Sequence, residues 1–60
     1  MDLYVLVRQG AEWEDMVIYL TEKDAMEASL KYTSARVELF KKTDNGFVPS
    51  YKYIMNGVYS

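Results

Sequence analysis

Chemistry in this chain of 60 residues would have to come from carboxylates, lysines, hydroxyls and phenols, because it has neither cysteine nor histidine. Lack of thiolate removes the nucleophile, the disulfide and the zinc-thiolate site. Lack of imidazole removes the one side chain whose ordinary pKa lies near neutrality. Aspartate and glutamate can act as acid and base, but no hydroxyl stands beside a recognisable base, and no glycine-rich phosphate loop is present. A chain this short also offers little depth for a water-excluded pocket. The densest group of acids is Glu12, Glu14 and Asp15 around Trp13, which lacks the alternating oxygen-ligand spacing of a calcium loop and reads as a solvated turn. The inventory points to a non-enzymatic protein that needs no cofactor or metal. The residues left to explain are aromatic and aliphatic, and their role is binding.

The elements that position them are legible as patterns. Thr21 to Thr33 is the one segment with helical spacing. Thr21 is suited to cap it and Asp24 to complete a capping box. Ala25, Met26, Ser29 and Thr33 form one side with Leu30 and Tyr32 flanking, and Lys23, Asp24, Glu27 and Lys31 form the other. Glu27 and Lys31 are spaced as a favourable ion pair. Asp2 to Arg8 is β-branched and aromatic enough for a central strand, Met16 to Leu20 resumes it after the Gln9 to Asp15 loop, and Ala35 to Lys42 alternates as a half-buried strand. Thr43 to Gly46 supplies a turn, as a tight hairpin or a short bulged loop. Phe47 to Met55 returns, with Pro49 marking an edge strand or an irregular start. Asn56-Gly57 is a further turn signal, after which Val58 to Ser60 forms a very short strand or frays.

These patterns predict a single α+β domain over residues 1–60, ββαββ, with a four-stranded antiparallel sheet in the order 2-1-3-4 and one helix packed on one face. The helix is expected to pack Ala25, Met26, Ser29 and Leu30 onto Leu3, Val5, Val7, Ile18, Leu20, Val37 and Leu39. The other sheet face would then carry Tyr4, Leu6, Arg8, Val17, Tyr19, Arg36, Glu38 and Phe40, which is too apolar to be left to water and calls for cover by a second copy, another protein or the chain's own C-terminal segment. The expected partner-binding residues are therefore Tyr4, Leu6, Arg8, Val17, Tyr19, Arg36 and Phe40. Trp13 is a further anchor, unless it folds back to cap the thin core, the placement the sequence favours.

Composition narrows the partner. Half the residues are hydrophobic and 15% aromatic, too rich for a disordered chain. A small domain without staples often gains stability by oligomerising, so the favoured reading is a protein-interaction module, binding itself or another protein, most simply as a homo-oligomer. Seven basic against nine acidic residues give a net charge of -2, which offers no general attraction for nucleic acid. Single-stranded nucleic acid stacked on Tyr4, Tyr19 and Phe40, with Arg8 and Arg36 on phosphates, is the alternative. The longest apolar run, Leu3 to Val7, is too short to span a membrane, and no signal-peptide pattern is evident, so the expectation is a soluble intracellular protein.

Trp-Glu-Asp at Trp13 to Asp15, Tyr-Leu-Thr at Tyr19 to Thr21, the Arg36 to Phe40 strand, and the Gly46 to Tyr53 stretch followed by Asn56-Gly57 together resemble short proteins encoded by large DNA viruses of algae and protists. That resemblance covers most of the chain and implies an accessory protein acting inside a host cell or in a virion. It transfers no catalytic or binding role to any residue.

Overall fold

A computed structural model describes residues 2–60. The chain runs β1 (Asp2–Val7), a 3-10 turn (Trp13–Asp15), β2 (Val17–Tyr19), α1 (Glu22–Lys31), β3 (Arg36–Thr43), β4 (Gly46–Met55) and β5 (Val58–Tyr59). The strands form one antiparallel sheet in the order β2-β1-β3-β4-β5, with α1 on one face. The fold is thus α+β, but with five strands rather than four. The fifth forms because Asn56 and Gly57 both take positive φ, 53° and 76°, as a two-residue hairpin of matching twist requires. At the β3–β4 turn Thr43 pairs directly with Gly46, so the tight form of the hairpin is the one observed, with positive φ, 105°, at Gly46 just past the two-residue loop.

Pro49 pairs with Phe40 inside β4. Strand β5 reaches only Ile54 and Met55, so at Pro49 the strand is still a free edge and the missing amide costs no ladder bond. The irregularity follows the proline rather than preceding it. Between the Glu38–Tyr53 and Phe40–Pro49 pairs, Leu39 alone faces Ser50, Tyr51 and Lys52. Ser50 stitches this bulge, its hydroxyl donating to the Leu39 carbonyl at 2.8 Å and accepting from the Lys52 amide at 3.3 Å.

Helix α1 starts as its sequence dictates, with Thr21 Oγ1 accepting from the Asp24 amide at 3.2 Å. Its buried face is Ala25, Ala28 and Ser29, all small. Such a face lets the helix approach the sheet closely and leaves the filling of the core to Leu6, Val37, Leu39 and Ile54, with Tyr4, Tyr19, Met26 and Tyr32 around the rim. Ser29 donates to the Met26 carbonyl at 2.8 Å and accepts from the Gly57 amide at 2.9 Å, which ties the helix to the β4–β5 turn. Leu30, expected as an anchor, is 59% exposed and touches the turn at Gly57. Glu27 and Lys31 do not pair; Lys31 Nζ lies 5.3 Å from the centroid of the Tyr32 ring instead.

Candidate functional site

The face of the sheet away from the helix carries many apolar side chains, and the strand register decides its membership. Tyr4 stands opposite Leu39 and Leu6 opposite Val37, so these alternate residues of β1 share the helix face with the core of β3. Leu3, Val5 and Val7 therefore point the other way, across from Phe40, Glu38 and Arg36. From β2 only Ile18 joins them, opposite Val5, and from β4 come Phe47, Pro49 and Tyr53. Val5 is 8% exposed on this face with no second layer over it, because its neighbours close around it, whereas Ile18 at the edge is 57% exposed.

Arg36 and Glu38 neutralise each other on this face, which leaves Lys42, opposite Phe47 at the end of β3, as its remaining charge. Arg36 Nε lies 3.2 Å from the Glu38 carboxylate, and the Arg36 guanidinium lies 5.5 Å from the centroid of the Tyr53 ring. The pair fixes the arginine over its own sheet, and the stack adds a cation–π attraction.

Of the residues expected to bind a partner on the open face, Arg36 and Phe40 are there. Tyr4, Leu6, Arg8, Val17 and Tyr19 are on the helix side of the sheet, and Leu6 is in the core. Arg8 lies 5.6 Å from the centroid of the Tyr32 ring at the end of the helix. The converse also holds, since Leu3, Val5, Val7 and Ile18, expected beneath the helix, are open, and Leu20 is exposed. Period two sorts each strand into two faces but does not say which face of one strand matches which of the next; a shift of one residue inverts the match. The missed signal was the small buried face of the helix, which needs the larger side chains of β1 to fill the space. Trp13 does not cap the core. It stands 80% exposed on the 3-10 turn, where the Glu12 amide donates to the Asp15 carboxylate at 3.2 Å.

On the helix side, beyond the N-terminus of α1, an open groove of about 620 Å³ is bordered by Leu39, Lys41, Ser50, Lys52 and Tyr59. The Tyr59 hydroxyl donates to the Glu22 carboxylate. That bond, with burial and the same negative charge adding to it, pushes the phenol up to about 12. Burial first, then Asp2 and Glu22, also raise the Tyr4 phenol above its usual range. Tyr51, in the bulge at this end of the sheet, takes φ 67° and is 86% exposed. A bulky residue in that conformation is strained, and its ring gains no packing in return.

Among the described residues no group of three or more metal-ligating side chains converges, and no helix is long and apolar enough to cross a membrane. Comparison with protein-family models, with curated proteins and with solved structures returns no match.

Proposed function

We propose that this chain is a non-enzymatic interaction module that self-associates by stacking the open sheet face of one copy on that of another, with Leu3, Val5, Val7, Ile18, Phe40 and Tyr53 at the contact. The observation that carries this reading is an apolar face whose Arg36–Glu38 pair is internal and whose remaining charge, Lys42, lies at the far end of β3, so two copies can meet over its centre without like charges being forced together. Stacked sheets with interleaved side chains are a common way to close such a face, and a twofold axis makes the contact self-complementary. Size is adequate as well. The Cα extents are 32 × 23 × 17 Å, and the two longer ones frame an area comparable to the roughly 800 Å² per partner of a standard interface. The resemblance to short proteins of large DNA viruses would put the module inside a host cell or a virion, and that placement is part of the proposal.

Nucleic acid is the weaker reading. The side chains it would need, Tyr4, Tyr19 and Arg8 with Phe40 and Arg36, lie on opposite faces, and Arg36 is engaged by Glu38.

Light scattering across a concentration range, on wild type and on Ile18→Lys combined with Phe40→Lys, tests the proposal. The expected result is a wild-type dimer and a folded monomeric variant with an unchanged circular dichroism spectrum. A wild type monomeric at every concentration would remove it, and submicromolar oligonucleotide binding at physiological salt would promote the alternative.

A further inference from the structure

A second surface shares only Ile18 with the open face through which self-association is proposed. Strand β2 ends the sheet, and among the described residues no strand lies along its outer side. Exposed edges are usually guarded by lysine, proline or a bulge. Val17, Ile18 and Tyr19 include none of these, and the flanking Met16 and Leu20 are exposed apolar side chains. The far side of the sheet is guarded, since the free edge of β4 carries Pro49 and the Ser50–Lys52 bulge.

A cleft of about 260 Å³ runs between β2 and the helix, lined by Tyr19, Asp24, Glu27, Ala28, Lys31 and Tyr32. Lys31 is drawn over the Tyr32 ring, and neither Asp24 nor Glu27 has an ion-pair partner among the described residues. The surrounding segment is acidic beyond the chain as a whole. Residues 9–31 hold six carboxylates and two lysines, while the rest of the chain holds three carboxylates and five cations.

We propose that the β2 edge and this cleft capture an extended cationic segment of another protein by strand addition. Main-chain bonds to β2 supply the attachment, and the two-residue alternation supplies the selection. Side chains of the added strand that point to the helix side meet the Asp24 and Glu27 carboxylates and are basic. Those that point to the other side lie beside Ile18 and are apolar. A second copy does not fit this edge. Antiparallel self-pairing centred on Ile18 sets Glu12 and Glu14 of one copy towards Asp24 and Glu22 of the other, acid against acid. The basic hairpin of another copy has the wrong edge, because Pro49 and the bulge interrupt its ladder.

The probe is a short peptide alternating lysine and valine, capped at its N-terminus by a fluorescent label, titrated against the full chain at low salt and followed by anisotropy of the label and by emission of the single tryptophan, Trp13. Three comparison peptides are the glutamate-for-lysine twin, one with a central proline, and one with the lysines grouped at one end. The alternating cationic peptide is expected to bind at least about tenfold more tightly than each of the three. Asp24→Lys with Glu27→Lys should transfer the preference to the glutamate twin, and Phe40→Lys on the open face should leave binding unchanged. Equal binding of the proline or grouped peptide would overturn strand addition in favour of simple charge attraction. Absence of binding by any peptide would overturn the site. If Val17→Lys lowers the solution mass while no peptide binds, the occupant is a second copy and the proposal fails.

Discussion

The two faces of the sheet use the same kinds of residue to different ends. Beneath the helix, large side chains from the sheet fill the space left by Ala25, Ala28 and Ser29, and the polar atom buried there, Ser29 Oγ, is fully bonded. On the open face, aliphatic and aromatic side chains of similar size shield one another sideways, and Arg36, Glu38 and Tyr53 satisfy each other. Apolar content therefore does not separate the core from the open face in this chain. What separates them is whether a second layer is supplied from within the chain, and one short helix can supply it to one face alone. Removing volume should consequently cost folding on the helix side and association on the open side.

Ile54→Ala should show the largest effect. Ile54 is completely buried beneath the helix, and the loss should be about 2–5 kcal/mol, a large share of the roughly 3–9 kcal/mol available to a domain of this length. Urea denaturation measures it, and a loss as small as that of an exposed-site truncation would mean the helix side is not the core. Ser29→Ala comes next, at about 1–3 kcal/mol, because it leaves the Gly57 amide without its acceptor. Its signature is faster hydrogen exchange at Gly57, which loss of packing elsewhere would not single out. Leu30→Ala should cost less than about 1 kcal/mol despite removing the larger side chain, since Leu30 is mostly in water. Finding Leu30→Ala costlier than Ser29→Ala would reverse the ranking.

The smallest effect is expected at high pH. The Tyr59 phenol holds its proton to about 12 in the folded chain, against about 10 when unfolded. Its contribution is therefore fully present below about 10 and is lost as the pH climbs towards 12, because the unfolded chain releases the proton first. Tyr59→Phe should flatten the fall of stability in that window relative to wild type, as followed by denaturation at stepped alkaline pH. Parallel curves for the two proteins would mean that the bond to Glu22 does not persist in solution.

The sequence alone determined the elements and their punctuation, because those depend on neighbours within a few residues. Thr21 as a cap needs only the Asp24 amide, Asn56-Gly57 as a hairpin needs only permission for positive φ, and the alternation in Arg36–Thr43 needs only the pleat. The order of the first four strands followed too, since the most apolar strand belongs inside and a proline near a free edge. The tertiary structure decided which side of each strand became the core. Tyr4 and Leu6 lie with Val37 and Leu39 because of a register set between strands some thirty residues apart, and because a helix lined with alanine and serine leaves room for large side chains. It likewise decided that Trp13 faces water and that Arg8 and Arg36 part to opposite sides. Period-two patterning is symmetric between the faces of a strand, so a choice between them requires the volume of what packs on each, and that volume exists only once the chain has folded.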